Sequence, residues 1–261
     1  MSNKSGSVIS EEEADKLAES EMLDEARDVA SNLELTLQQV RTGHIDGKKA
    51  AEKLVQDSSN LRFKAKSVSI PGFAAITHRL DEYLGGVTEL QPQHIKDLQT
   101  YSDRILALLD GEDLPQATIA EVVRSMPHKS TFNVEDIEIT NTEVLLVIPQ
   151  KTAGKVVARE LEACGYRVTS LTDPLEAITM VLDTRPDLII TSMVMPRLGG
   201  ADLACALKAM PSTRNTHVAV LTSLTPDHPD MQALPMNVGV IRRGNTFGDD
   251  LADVLHKFNI T

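Results

Sequence analysis

Hydrophobic residues in the first half of the chain recur at intervals of three and four, which is the spacing of one face of an α-helix. The first such segment stops at Gly43, and a second begins after Asp46, a residue suited to capping a helix, and continues to Pro71-Gly72. The positions on these two faces are Met22, Ala26, Val29, Leu33, Leu37 and Val40, and then Gly47, Ala51, Leu54, Ser58, Leu61, Ala65 and Val68. The pattern predicts two long amphipathic helices.

Three more helices follow at short intervals. The third runs from Phe73 to Leu84, the fourth starts near Pro92 and ends at Gly111, and a short fifth covers residues 116–125. Helices of this length with short joints fold back on one another, so residues 11–111 are predicted to form an up-and-down four-helix bundle. We place this all-α domain at residues 11–125, after a flexible lead at residues 1–10.

After a stretch without periodicity at residues 126–142, interpreted as a linker, the pattern changes to short apolar runs that alternate with amphipathic segments. Five such strand–helix units predict a doubly wound α/β domain with a parallel sheet over residues 143–261. The strand candidates are Val144–Ile148, Arg167–Leu171, Asp187–Ser192, His217–Thr222 and Val238–Arg242, and the helix candidates are Ala153–Cys164, Pro174–Asp183, Gly200–Met210 and Phe247–Phe258. Three prolines within residues 226–235 predict a short or broken fourth helix.

The third strand candidate leads into the most informative stretch of the chain, Asp187 to Gly200. Its apolar run ends at Ser192, Met195-Pro196 then breaks the chain, and Gly199-Gly200 begins the next helix. Open α/β sheets keep their chemistry at the carboxyl ends of such strands. The residue at this tip is a serine, not an acid.

Composition narrows the function classes. A formal charge of −12 argues against a nucleic-acid or anionic-membrane surface, which would need clustered Lys and Arg. No apolar run approaches the ~18–20 residues of a membrane span, and no secretory signal is visible at the amino terminus. Cys164 and Cys205 lie in apolar helical contexts and are expected to be buried free thiols, and no residues show a metal-ligand spacing. We expect a cytoplasmic protein.

Motifs along the whole α/β half resemble the response-regulator receiver domain, the flavodoxin-like phosphoacceptor module of bacterial two-component signalling. They are Val144-Leu-Leu-Val147, Ala158-Arg159 with Leu161, Gly165-Tyr166, Pro174 with Glu176-Ala177, Pro186-Asp187-Leu-Ile-Ile190, Met195-Pro196, Gly200 and Leu221-Thr222. The resemblance implies a (βα)5 fold with a parallel five-stranded sheet. In such domains two carboxylates hold Mg²⁺, an Asp accepts the phosphoryl group, and a Thr or Ser and a Lys respond to it.

Carried over to this chain, most of those positions are changed. The acidic pair falls on Ile148 and Pro149, and the phosphoacceptor falls on Ser192. The hydroxyl position keeps its kind in Thr222, whereas the Lys falls on Arg243 or Arg242. Ile148 has no oxygen to offer a hard cation, and a serine without an adjacent base is a weak nucleophile. We therefore expect a pseudo-receiver that has lost its Mg²⁺ site and binds no cofactor.

Ser192 leaves three interpretations open. It can simply satisfy local backbone groups, it can be phosphorylated by another route, or the nearby arginines can bind an anion at the tip.

The helical half resembles a histidine phosphotransfer domain, in particular the first domain of chemotaxis histidine kinases. The resemblance rests on residues 61–84, in which the phosphorylated His of the family falls on Lys66. The motif's Lys and Gly fall on Ser69 and Ile70, so the motif is not kept. A lysine ammonium cannot replace the imidazole nucleophile at neutral pH. His78, on the third helix, is the alternative phosphoacceptor, although a structural role is favoured for it.

Two relay-like domains without acceptor residues predict a non-enzymatic signalling adaptor or regulator of a bacterial two-component, phosphorelay or chemotaxis-like pathway. Its expected partners are histidine kinases and response regulators, and a homodimer is left open. One alternative is an active phosphorelay protein that uses His78. Another is a pseudo-receiver that senses a small ligand at the strand tips.

Overall fold

The computed structural model describes residues 10–128, 141–244 and 246–260 of the 261, and it divides into two compact units between Pro127 and His128. Residues 1–9 of the predicted flexible lead and residues 129–140 of the predicted linker lie outside the described residues. The regular structure described in the first unit is helical, and the second unit combines helices with a β-sheet, as the sequence pattern predicts.

The described part of the first unit contains five α-helices. They are α1 (Glu11–Arg41), α2 (Gly47–Lys64), α3 (Phe73–Leu84), α4 (Pro92–Leu109) and α5 (Gln116–Ser125). Ser10 begins α1 with a capping box, in which the Ser10 hydroxyl accepts from the Glu13 amide and the Glu13 carboxylate accepts from the Ser10 amide. Asp46 caps α2 by accepting from the Lys49 amide at 2.8 Å. Local side-chain chemistry therefore sets both starts.

The first four helices form the predicted bundle. Helix α1 packs against α2 and α4, and α3 packs against the same two helices, which is the cyclic order of an up-and-down bundle. The largest fully buried side chains of this core are Leu33, Leu37, Leu54, Leu61, Phe73, Ile76, Leu80, Leu84, Leu98, Tyr101, Ile105 and Leu108. Each such side chain stabilises the fold by roughly 1.5–3 kcal/mol relative to its exposed state.

One helix end in the bundle differs from the sequence prediction. The helix predicted to continue to Pro71 ends as an α-helix at Lys64, and Ala65–Ser67 form a 3-10 turn. Val68 is then extended, and Gly72 adopts a left-handed φ of 77°. The heptad-like spacing persists through residue 68 because Ala65 and Val68 are buried, although they no longer lie on an α-helix.

The second unit alternates strands and helices. Its strands are β1 (Glu143–Val147), β2 (Arg167–Leu171), β3 (Leu188–Ser192), β4 (His217–Thr222) and β5 (Gly239–Arg242). Its helices are α6 (Lys151–Ala163), α7 (Ala177–Thr184, after a 3-10 turn at Pro174–Glu176), α8 (Gly200–Ala209), α9 (Pro229–Gln232) and α10 (Phe247–Phe258). The single turn of α9 confirms the broken fourth helix expected from the prolines.

All neighbouring strands pair in parallel, in the order β2-β1-β3-β4-β5. This is the doubly wound flavodoxin-like order, so the predicted fold class is confirmed. Every residue of β1 and β3 is buried, as expected for central strands covered on both faces. Side chains of α6 and α10 share one core cluster with β1, β3 and β4. The strands therefore deliver their carboxyl ends to one edge of the sheet.

Both Cys164 and Cys205 are free thiols, but the expectation that they are buried is wrong, because both are exposed. Cys164 follows the last residue of α6, and Cys205 lies on the solvent side of α8, next to buried Ala204. An apolar neighbourhood in sequence did not reveal on which side of the helix each thiol lies.

Within the described ranges, no helix is long and apolar enough to cross a membrane.

Candidate functional site

The carboxyl edge of the sheet brings together the residues that the sequence singled out. In the strand register, Val147 pairs with Thr191 and Ser192 pairs with Leu221, so the residues that end β1, β3 and β4 are neighbours. Thr222 pairs with Arg242 at the end of β5. We call this group of strand ends the strand-tip site.

A hydrogen bond between Ser192 and Arg243 occupies the centre of the strand-tip site. The Ser192 side chain is completely buried, and its hydroxyl accepts from Nη2 of Arg243 at 2.7 Å. The Arg243 amide also donates to the Thr222 carbonyl at 2.9 Å, which holds the arginine beside β4. A charge-assisted donor at this distance makes a strong bond.

Arg242 takes a different direction from its neighbour. Its amide donates to Oδ2 of Asp250 at 2.8 Å, and its guanidinium lies 3.8 Å from the same carboxylate. The sequence allowed either arginine to stand at the lysine position, and the structure brings only Arg243 to Ser192.

The end of β1 contributes no carboxylate. Ile148 is buried at 2% exposure, and its amide donates to the Leu171 carbonyl at 2.9 Å, which continues the sheet ladder. Pro149 is half-buried and has no side-chain donor or acceptor. In the described part of the chain, no group of three His, Cys, Asp or Glu side chains is arranged to hold a metal ion.

These donors do not suit Mg²⁺. A hard divalent cation needs several oxygen ligands, of which carboxylates are the most effective. The Ser192 hydroxyl already accepts from a guanidinium, and the positive charge of Arg243 opposes a second cation at the same place.

Thr222 is buried beside the serine. Its hydroxyl accepts from the Leu224 amide at 3.0 Å, so this side chain turns the chain away from the end of β4. The bond is local to the loop that begins the proline-containing segment.

The start of α8 packs directly onto the tip of β3 because Gly200 has no side chain. A Cβ at this position would lie 2.3 Å from the Ser192 carbonyl oxygen, far closer than any allowed contact. The Gly200 amide donates to the Met193 carbonyl at 2.8 Å, which closes the loop. Only glycine permits this approach, so packing at the tip of β3 explains the glycine at position 200.

An ion pair that the sequence reasoning missed crosses the same edge. Nη2 of Arg197 lies 2.5 Å from Oδ2 of Asp173, which links the loop after β3 to the loop after β2. Arg197 has a left-handed φ of 68°, an unusual conformation for a residue other than glycine. No motif or spacing predicts the pairing, since the two residues belong to loops that only the sheet order makes adjacent.

In the helical unit, the two candidate positions lie in different environments. Lys66 is exposed in the 3-10 turn that follows α2, whereas His78 is buried on α3 with 2% of its surface exposed. Nε2 of His78 lies 3.7 Å from Oε1 of Glu82, one turn further along the helix.

A polar cluster between α2 and α3, near these positions, was not predicted from the sequence. The Asp81 carboxylate on α3 accepts from Arg62 at 2.9 Å and from the Ser59 hydroxyl at 2.7 Å, both on α2. It joins the two helices of the hairpin on which the resemblance to phosphotransfer domains rests. The i, i+3 spacing of Ser59 and Arg62 places them on one face, but nothing in the sequence identifies Asp81 as their partner.

Comparison with known proteins gives partial matches. No family model matches the chain. The transcriptional regulatory protein PrrA of Mycobacterium tuberculosis is 32% identical over 75 residues, which cover 29% of this chain and 32% of PrrA. Protein PilG of Pseudomonas aeruginosa is 27% identical over 81 residues, covering 31% and 60% of the two chains. A gliding motility regulatory protein of Myxococcus xanthus is 36% identical over 81 residues, or 10% of its length. The chain thus spans less than two thirds of each relative.

Solved structures similar to this chain include three of receiver type. The receiver domain of a signal transduction histidine kinase from Syntrophus aciditrophicus is 27% identical, with a TM-score of 0.42 over 46% of this chain and 92% of that one. The receiver domain of a Pseudomonas aeruginosa sensor histidine kinase, solved with magnesium in its active site cleft, is 21% identical with a TM-score of 0.41 over 45% and 98%. Chemotaxis response regulator CheY4 of Vibrio cholerae is 22% identical, with a TM-score of 0.40 and the same coverage. From its strand order and the sequence matches, the C-terminal half of this chain resembles a response-regulator receiver domain.

Proposed function

We propose that this chain is a non-enzymatic adaptor or regulator of a bacterial two-component or chemotaxis-like pathway. The C-terminal unit would serve as a pseudo-receiver, a receiver fold that binds partners but accepts no phosphoryl group. The names of the relatives, which include regulatory and motility proteins, support the pathway class. The hydrogen bond from Arg243 to the buried Ser192 hydroxyl carries the proposal that the centre is silent.

The chemistry of phosphoryl acceptance explains why this bond matters. An acceptor must attack phosphorus along an open path, and Mg²⁺ must neutralise the phosphoryl oxygens during transfer. Ser192 has no exposed surface, and neither Ile148 nor Thr222 has a side chain that can act as a base. A guanidinium bonded to the serine leaves the hydroxyl oxygen less nucleophilic, because its lone pair is engaged with a cation.

For the helical unit we propose a docking role without phosphotransfer. Lys66 is exposed at the position that resembles the acceptor, and a lysine ammonium has no lone pair with which to attack phosphorus. His78 has the right chemistry but only 2% of its surface is exposed, so a partner's phosphoryl group could not reach it without opening of the bundle. These two features favour the adaptor over the active relay protein that uses His78.

The partners that fit this proposal are histidine kinases and response regulators of the same pathway. A receiver fold without its acceptor can still present the surface that a kinase binds. It would act by competing with an active receiver or by holding two proteins together, and not by chemistry of its own.

A transfer and binding assay tests the proposal. The full chain is incubated with phosphorylated kinases and receivers from its own organism, and both phosphoryl transfer and complex formation are measured. We expect no stable phosphorylation of the chain, together with a complex or a changed rate of transfer between the two partners. Phosphoryl transfer onto the chain that is lost in either Ser192→Ala or His78→Ala would overturn the proposal.

A further inference from the structure

The outward side of α6 carries three cations on successive turns. Lys151, Lys155 and Arg159 recur every four residues, so they lie on one side of the helix, and all three are exposed. Val156 lies beside them with 55% of its surface exposed. We call Lys151, Lys155, Val156 and Arg159 the cationic face of α6.

The three cations of this face have no ion-pair partner in the described ranges. The acidic residues of α6 are Glu160 and Glu162, near its carboxyl end. Like charges four residues apart on a helix repel one another. On a chain with a net charge of −12, such a face is a local exception, and an acidic surface docked on it would relieve the repulsion.

Helix α1 carries a surface of the opposite charge. It has 31 residues, whereas its neighbours α2 and α4 have 18 each, and every residue from Glu12 to Glu21 is exposed. Along its outward side, exposed side chains follow one another at helical spacing. These are Leu17, Glu21, Asp24 and Asp28, which we call the acidic face of α1.

The two faces match in composition as well as in charge. Each has one apolar residue about half exposed, Leu17 at 54% and Val156 at 55%, with charged residues one turn away. Asp24 has a partner in Arg27 at 3.3 Å, while Glu21 and Asp28 form no ion pair with a described residue. Complementary charges on two such faces would steer their association and fix the register of the contact.

We propose that the acidic face of α1 in one copy of this chain docks on the cationic face of α6 in a second copy. Formed reciprocally about a two-fold axis, the contact would occur twice and close the assembly as a dimer. The inference is independent of the proposed signalling function, and it gives a surface to the homodimer that the sequence left open.

Sedimentation velocity of the full chain tests the dimer. At low ionic strength we expect a species of twice 28.5 kDa that dissociates as salt is raised, because the contact depends on screened surface charges. The pairs Lys155→Glu with Arg159→Glu, and Glu21→Lys with Asp28→Lys, should each raise the dissociation constant by at least about tenfold. Glu52→Lys, exposed on α2 outside both faces, is the matched control and should leave the dimer unchanged.

Mixing the two double variants provides the decisive step. Each variant alone is expected to be monomeric, with circular dichroism unchanged from the wild type. In the mixture, the reversed α6 of one variant faces the reversed α1 of the other, and the unchanged faces also match, so both contacts are regained. A dimer in the mixture requires contact between different molecules and supports the proposal. A wild-type monomer at low salt, double variants that still dimerise, or a mixture that stays monomeric would each overturn it.

Discussion

Replacing Arg243 by alanine removes the only described partner of the Ser192 hydroxyl while leaving the serine completely buried. A buried hydroxyl that loses its partner costs about 1–3 kcal/mol, so Arg243→Ala should lower the free energy of unfolding of the C-terminal unit by that amount. The charge of Arg243 adds little of its own because the residue is largely exposed. The loss of stability therefore arises mainly from the Ser192 hydroxyl that is left without a hydrogen-bond partner.

Arg242→Ala is the matched control for this prediction. Its guanidinium is 60% exposed and lies 3.8 Å from Asp250, so its loss should cost less than about 1 kcal/mol. The chain has no tryptophan, so urea-dependent hydrogen exchange read by mass spectrometry is the suitable assay. Peptides that cover β3 and β4 report the C-terminal unit separately from the bundle.

A double-mutant cycle isolates the bond itself. In a Ser192→Ala background no buried hydroxyl is left without a partner. The loss in free energy of unfolding caused by Arg243→Ala should therefore be smaller than in the wild type by about 1 kcal/mol or more. An Arg243→Ala effect equal to that of Arg242→Ala, or one of full size in the Ser192→Ala background, would refute the reasoning.

Three further predictions concern the same unit. Restoring a receiver-like donor set at four positions should create Mg²⁺ binding that calorimetry detects and that the wild type lacks. At a Mg²⁺ concentration about 100 times its dissociation constant, the bound ion should stabilise the variant by about 2.7 kcal/mol. The substitutions are Ile148→Asp, Pro149→Asp, Ser192→Asp and Arg243→Lys. Gly200→Ala should lower the free energy of unfolding by at least about 3 kcal/mol in the same exchange assay, because the added Cβ would lie 2.3 Å from a carbonyl oxygen. An unchanged urea midpoint of the C-terminal unit would contradict the close packing. Burial, and then the charge of Lys208, lower the pKa of His217 below its usual 6.5, against a smaller opposite effect of Asp187. The neutral ring is therefore favoured in the folded state, and its stabilising contribution is present above pH 6.5 and lost as the pH falls below it. His217→Gln should reduce the slope of the free energy of unfolding against pH in this range.

The bundle and the sheet could be predicted because both depend on apolar periodicity. The spacing of Leu33 and Leu37 identifies a helix face, and the uninterrupted run Leu188–Ile190 identifies a central strand. Helix ends were predicted where Gly or Pro fixes them, as at α3 and α5. The end of α2 was not, because Ala65 and Val68 stay buried in a 3-10 turn and so continue the apolar pattern.

The site could be predicted only as far as strand order permits. Ser192, Thr222 and Ile148 were located because each directly follows or ends a recognisable strand. The choice between Arg242 and Arg243 needed side-chain directions, since adjacent residues at a strand end point to opposite sides. The pair between Asp173 and Arg197 depends on two loops meeting across the sheet edge, for which the sequence carries no signal.

The exposed cysteines show the same limit on a smaller scale. Cys205 follows buried Ala204 on α8, and a rotation of 100° between successive residues is enough to move one of them from the core to solvent. Composition near a residue is therefore a weaker guide to burial than its phase on the helix.

We propose that the strand-tip site accepts no phosphoryl group. The most direct measurement is intact-protein mass spectrometry of the full wild-type chain after incubation with Mg²⁺ and a small acyl-phosphate donor, without any kinase. We expect an unchanged mass, because Ser192 is buried and bonded to Arg243 and the end of β1 offers no carboxylate. The addition of one phosphoryl group that requires Mg²⁺ and disappears in Ser192→Ala would contradict it.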